Sequence, residues 1–243
     1  MKIKNRLFDI WQSLKESSQR FPITVGMSLL LFILLIYYNE NLENLSNLQQ
    51  DRFIRFNMII GLGIGLSLVI SLIGERFFPK DKTRKILAHM GGTIGLIFYY
   101  KYFLREVRGV TIIRYFGVLI LLWILFFYIP RYKVKESYEK YVIKIFANFF
   151  VTLIYSLVLL FGIFIILFTV DSLFDVNIKG KYYYYVYLFV SLVFSIALFL
   201  SKLPEADERF FDYNYSNSLR VLLTYIIIPL ISIYTIILYL YFA

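Results

Sequence analysis

Cysteine is absent from this chain of 243 residues, and histidine occurs once, at His89. The first absence removes disulfides, thiolate metal sites and cysteine nucleophiles together; the second leaves too few imidazoles for a histidine-based metal cluster. Charge is also scarce, at 17% of residues against 60% apolar and 20% aromatic, with a mean hydropathy of +0.69. A soluble domain has about a quarter of its residues charged, spread over its surface. Here the charges gather in short blocks between long apolar runs, so the chain falls in the membrane class; collagen, disorder, coiled coil and a small disulfide scaffold are excluded.

A helix needs about twenty mostly apolar residues to cross the hydrocarbon core. Seven stretches approach or meet that length: 22–38, 56–74, 86–103, 111–129, 145–170, 183–203 and 219–242. They are too continuously apolar for the alternating strands of a membrane barrel. The expected fold is therefore all-α, a polytopic transmembrane helical bundle of about seven spans forming one domain over 21–243. Ahead of it, residues 1–20 carry Ile3, Leu7, Ile10, Trp11 and Leu14 at helical spacing, with Lys2, Arg6, Asp9 and Glu16 on the other faces. That pattern predicts an amphipathic interfacial helix on the cytoplasmic side, broken from the first span by Pro22, with packing on the cytoplasmic helix ends as the alternative. With no small-residue cleavage site after it, the first span reads as a retained helix.

The net charge of +10 has a topological explanation, because cytoplasmic loops retain Lys and Arg. Eighteen of the 26 basic residues fall on the N-terminal segment and the 75–85, 131–144 and 202–220 loops, and eight on the opposite set of connections. The N-terminus is expected in the cytoplasm and residue 243 on the outer side. Basic residues do not gather on one soluble face, so nucleic acid is not an expected partner. The expected partners are the lipid bilayer, with anionic lipids at the cytoplasmic face, and a membrane-protein partner or second copy.

The run Gly61-Leu62-Gly63-Ile64-Gly65 lacks both the Lys-Ser/Thr of a phosphate loop and the strand-turn-helix context of a dinucleotide fingerprint. Gly61 and Gly65, continued by Ser67 and Ser71, instead form a small-residue face, and Gly91 and Gly95 repeat the spacing one span later. The second and third spans are expected to pack through these faces; an unwound, ion-coordinating stretch is the functional alternative. Asn148, Thr152 and Ser156 in the fifth span, Ser191 and Ser195 in the sixth, and Thr224, Ser232 and Thr235 in the seventh read as interhelical hydrogen-bonding groups or as the lining of a path. Pro229 should kink the seventh span. The sixteen Asp and Glu all lie in loops or at span ends, which argues against a carboxylate proton relay, an intramembrane aspartyl protease or a carboxylate-metal site. Arg114, just inside the fourth span, either snorkels to headgroups or meets an anionic ligand; His89 is either an interhelical hydrogen-bonding group or a base. The tyrosines, Tyr182 to Tyr185 among them, sit mainly at span ends as interfacial belts. No catalytic constellation, cofactor site or metal site emerges.

Several segments look familiar in order: Arg20-Phe21-Pro22-Ile23-Thr24, then Tyr155-Ser156-Leu157-Val158-Leu159-Leu160-Phe161-Gly162, then Leu198-Phe199-Leu200-Ser201-Lys202-Leu203-Pro204, then Pro229-Leu230 with Tyr234 and Ile237-Leu238-Tyr239. Together they resemble the bacterial multi-pass membrane family catalogued as domain of unknown function four-one-five-three. The resemblance implies a helical membrane fold and a bacterial inner-membrane location, and transfers no catalytic residue. It also implies further spans beyond this helix, so the chain reads as the N-terminal membrane portion of a longer protein. The leading functional expectation is a non-enzymatic membrane protein acting as scaffold, sensor or complex subunit. The alternative is a transporter or permease-like protein with a Ser/Thr/Tyr-lined path.

Overall fold

The computed structural model describes residues 18–79, 81–106, 109–132, 138–174 and 177–204. The expected seventh span with Pro229, most of the amphipathic segment, and residues 205–218 lie outside the described residues. Among those described there is helix and no strand: α1 (Pro22–Asn41), α2 (Asn47–Phe77), α3 (Lys82–Tyr102), α4 (Gly109–Tyr128), α5 (Tyr138–Phe174), α6 (Gly180–Leu188) and α7 (Ser195–Ser201). A π-helical turn, Phe189–Phe194, joins the last two into one rod, Gly180–Ser201.

Local chemistry sets the ends of these helices. Pro22 stands in the first turn of α1, where its missing N–H costs no hydrogen bond. Ser46 and Gln49 form a capping box at the start of α2, and Pro79 follows its end. Asp81 caps α3 by accepting from the Arg84 amide. Most helices outrun the apolar stretches within them. Two polar turns holding Gln49, Gln50, Asp51 and Arg52 precede the apolar part of α2, and Glu139, Lys140 and Lys144 open α5. A helix keeps satisfying its own backbone in the headgroup region, so hydropathy reports the membrane's edge and not the helix's.

Five described helices are long and apolar enough to cross a membrane: Pro22–Asn44, Asn47–Phe77, Gly109–Tyr128, Tyr138–Ser172 and Gly180–Ser201. The expected third span, 86–103, forms a helix but is not among the five, because His89, Gly91, Gly92, Thr93 and Lys101 dilute its hydropathy.

Helix α2 is the hub, packing against α1, α3 and α4, while α5 pairs with the α6–α7 rod and that rod rests on α1 through the π turn and α7. The buried core follows α2 through Ile59, Ile60, Leu62, Val69 and Leu72, met by Phe21, Leu122, Phe126, Tyr141 and Leu200. The outward faces of α3, α4 and α5 stay apolar and exposed, as at Ile94, Ile113 and Val158.

The glycines of α2 are where neighbours come closest. A Cβ on Gly61 would lie 3.1 Å from Tyr115 Oη, and one on Gly65 would lie 3.4 Å from Leu122 Cδ1, both on α4. A Cβ on Gly63 would overlap Met27 Cε of α1 and lie 3.3 Å from Leu96 Cδ1 of α3. The expectation for α3 needs correction. Gly91 and Gly95 have nothing within 4 Å, and it is Gly92 whose Cβ would overlap Ile70 Cδ1 of α2. The i,i+4 pair was assigned to the wrong face because one residue along a helix turns it by about 100°. Replacing Gly63 with Leu should therefore lower stability by about 1–3 kcal/mol through overpacking, whereas Gly95→Leu should stay within about 0.5 kcal/mol of the parent. Thermal unfolding of the two variants in detergent checks the contrast.

Candidate functional site

The richest polar arrangement lies where the start of α1, the end of α2 and the end of α7 meet. Arg20 makes a two-pronged ion pair with Glu75, Nε to Oε1 at 2.8 Å and Nη2 to Oε2 at 2.8 Å. Its Nη1 donates to the Leu203 carbonyl and its Nη2 to the Pro204 carbonyl at 3.2 Å. The guanidinium also lies 4.8 Å from the centre of the buried Phe21 ring. These bonds satisfy carbonyls that the ending helix leaves without partners, and only a planar fork of donors serves a carboxylate and two carbonyls at once.

Beside this clamp a cleft of about 670 Å³ opens between the ends of α1 and α2 and the start of α3. Its polar wall is Gln19, Arg20, Glu75, Ser71, Lys82, Lys85, His89 and Thr93; its apolar wall is Pro22, Ile23, Ile70, Ile86 and Met90. Glu75 is matched by Arg20, so Lys82 and Lys85 leave the cleft positive. From its floor a hydroxyl ladder runs inward. Ser71 donates to the Ser67 carbonyl at 2.8 Å, Ser67 to the Ile64 carbonyl at 3.0 Å, and Thr24 Oγ1 of α1 sits 2.9 Å from Ser67 Oγ. Thr24 and Ser67 are buried, so these bonds join α1 to α2 away from water.

His89 Nε2 is 3.4 Å from Ser71 Oγ. The Ser71 proton is directed at a backbone carbonyl, and among the described residues the buried His89 Nδ1 has no hydrogen-bond partner to orient the ring as the base of a dyad is oriented. Among the described residues no group of His, Asp and Glu is arranged to hold a metal ion.

The fifth span's polar residues face the α6–α7 rod. Ser156 Oγ and Ser195 Oγ are 2.7 Å apart, the Ser195 hydroxyl reaches the Val190 carbonyl at 2.7 Å beside the backbone bond that the same carbonyl accepts from the Ser195 N–H, and Asn148 donates to the Lys202 carbonyl. Thr152 is buried between these two contacts along α5, and its hydroxyl has no hydrogen-bond partner among the described residues. Arg114 is exposed on α4, away from the cleft. At the opposite end of the bundle Lys181 grips Glu40 at 2.9 Å to both oxygens, and Tyr185 donates to the same carboxylate at 2.6 Å.

Residues 25–243 match the family model described as Domain of unknown function (DUF4153). The chain belongs to this family. No curated protein and no solved structure matches it. Within this DUF4153 chain, three segments that carried the resemblance in sequence come together. Arg20 bonds the carbonyls of Leu203 and Pro204, and the Lys202 ammonium sits 4.9 Å over the Tyr155 ring.

The sequence singles out Ser67 and Ser71 as part of a small-residue face and His89 as a separate lone histidine; it does not bring them together, and it misses Arg20–Glu75, Thr24 and the π turn. The available signal for the clamp was a lone Arg just before an apolar run and a lone Glu just after another, both expected at the same membrane face. Arg20→Ala should cost about 1.5–3 kcal/mol by stranding a half-buried carboxylate. Arg20→Lys should recover less than half of that, since one ammonium cannot replace the fork. Lys181→Ala, which breaks the exposed pair at the other end, should shift the melting temperature least. Unfolding of the three purified variants tests this order.

Proposed function

We propose that this chain is the seven-span membrane domain of a bacterial inner-membrane protein, over 21–243, acting as a scaffold, sensor or complex subunit and not as an enzyme. The observation that carries this reading is the unbroken α2. It passes through Gly61, Gly63 and Gly65 as regular helix, with Tyr115, Met27, Leu96 and Leu122 against them. Ion-coupled carriers instead break helices at such glycines to expose backbone to an ion at the midplane. The void beside Gly65, about 180 Å³, is lined by Leu68, Val69, Leu119, Leu122, Trp123, Phe126 and Phe199 and offers a polar solute nothing.

The third crossing is supported by the way α3 follows α2 antiparallel over nearly its full length. The contacts run in order from Lys85 against Gly74, through Gly92 at Ile70 and Leu96 at Gly63, to the Leu104 and Arg105 carbonyls accepting from Arg55. A helix of 21 residues is about 31 Å long, enough for the hydrocarbon core. Arg20, Arg76 and Lys85 make their bonds at one end, and with the alternation of basic-rich and basic-poor connections in the sequence this favours a cytoplasmic N-terminus and an outer residue 243. In this reading residues 1–20 form an interfacial helix on anionic lipid, and the partner is a membrane protein or a second copy.

The permease reading draws on the π turn, because such turns recur at functional sites. Ser195 already occupies the Val190 carbonyl there, which favours a static role.

The lack of native cysteine permits a direct test. Single cysteines at Ser67 and Thr152 should not react with a membrane-impermeant thiol reagent in intact bilayers, whereas one at Lys82 should react from one side only. Reaction at Ser67 and Thr152 as fast as at Lys82 would establish a water path and overturn the scaffold reading. Reporters fused after Tyr138 and after Ala243 should report inside and outside; two inside signals would remove one of the later spans.

A further inference from the structure

We propose that the cleft between α1, α2 and α3 is a binding site for one anionic phospholipid, with its phosphate on Lys82 and Lys85 and its acyl chains leaving across Ile23, Ile86 and Met90. Lys82, Lys85, His89 and Thr93 follow one another at helical spacing on one face of α3. That face grades from cations in the first turn to an imidazole and a hydroxyl deeper in. Ile86 and Met90 flank it, and both are exposed, as is Ile23 across the cleft on α1. The polarity of the cleft thus changes along its length in the order of a phospholipid: charged group, polar linker region, hydrocarbon.

The sign of the ligand follows from charge. Glu75 is the acid among the lining residues, and Arg20 holds both of its oxygens, so the carboxylate neither repels an anion strongly nor needs a cation from outside. Lys85 is bent toward the cleft wall, with its stem against Gly74 and Nζ donating to the Pro79 carbonyl at 3.3 Å, a contact that leaves ammonium protons for a second acceptor. Lys82 is exposed at the mouth. A phosphate is served by two ammonium groups within one helical turn. The apolar wall separates a lipid from a soluble phosphate ester, because a small solute would leave Ile23, Ile86 and Met90 uncovered. The volume of about 670 Å³ suits a headgroup and the first part of its chains, larger than a free phosphate fills. The proposal rests on the basic end lying at a membrane surface, which the reporter fusions test separately.

The experiment is native mass spectrometry of the full chain released from phosphatidylcholine bilayers doped with phosphatidylglycerol. The parent should retain phosphatidylglycerol in preference to phosphatidylcholine. Lys82→Glu with Lys85→Glu should weaken retention at least about tenfold, since each basic residue near an anionic lipid surface contributes an appreciable attraction. Lys82→Gln with Lys85→Gln, a milder pair that adds no repulsion, should give a smaller loss in the same direction. Arg52→Glu with Lys179→Glu, at the far end of the bundle, should leave retention unchanged. Soluble glycerophosphate in excess should not displace the lipid. An absence of preference, equal losses at the two ends, or displacement by glycerophosphate would each overturn the proposal. The last outcome would make the cleft a site for a soluble phosphate ester.

Discussion

Helices in lipid gain little from burying apolar side chains against one another, since the surrounding chains are as apolar as leucine. What remains is close approach and the few polar contacts that crossing helices make, and in this chain both are concentrated on α2. Its glycines let α1, α3 and α4 come near at Gly63, Gly61 and Gly65, while Ser67 supplies the hydroxyl that meets Thr24. Three neighbours therefore depend on one helix. The pair of α5 and the α6–α7 rod reaches the bundle at α1, through the π turn and α7, and at α4, through Phe127 with Phe146 and Phe126 with Phe199; its own crossing holds by Ser156 with Ser195 and by Asn148 on the Lys202 carbonyl.

Much of this architecture was legible because membrane crossing is a one-dimensional problem. Apolar length locates helices, so six of the seven expected stretches coincide with described helices. Composition could not settle α3, where the residues that lower hydropathy, His89 and Thr93 among them, belong to the cleft. The residues that line the cleft thus lower the hydropathy of this helix. The face of α3 that meets α2 was illegible for a different reason. Gly91, Gly92 and Gly95 all satisfy a small-residue spacing with some neighbour, and only the partner's side chains, Ile70 above all, decide which glycine is needed. The π turn left no trace in sequence, since no proline or glycine marks Phe189–Phe194 and the Ser195 bonds to the Val190 carbonyl appear only in the folded helix.

The Arg20 clamp links the fold to the proposed site. Arg20, Glu75 and the Leu203 and Pro204 carbonyls lie 55 and more residues apart in sequence, and none of these groups is satisfied until three helix ends have met. A half-buried carboxylate without its fork would carry a desolvation penalty, so the clamp favours one arrangement of those ends over others as well as adding attraction. The resemblance segments at Arg20–Thr24 and Leu198–Pro204 thereby acquire a common physical reason: they are the two sides of one junction.

The same junction explains why a positive cleft can persist beside a carboxylate at a membrane surface. If Glu75 were unpaired it would draw Lys82 or Lys85 into an internal ion pair, closing the cleft and cancelling its charge. By occupying both carboxylate oxygens, Arg20 leaves Lys82 exposed and the Lys85 ammonium donating to the Pro79 carbonyl. The lysines are held there cheaply, because Asp81 caps their helix and the stem of Lys85 lies against Gly74, where a larger residue would push it away. A structural ion pair in this bundle thus sets the electrostatics of the neighbouring surface, and the scaffold reading and the lipid site share one cause: the ends of α1, α2 and α7 are locked so that the start of α3 is free to meet the membrane.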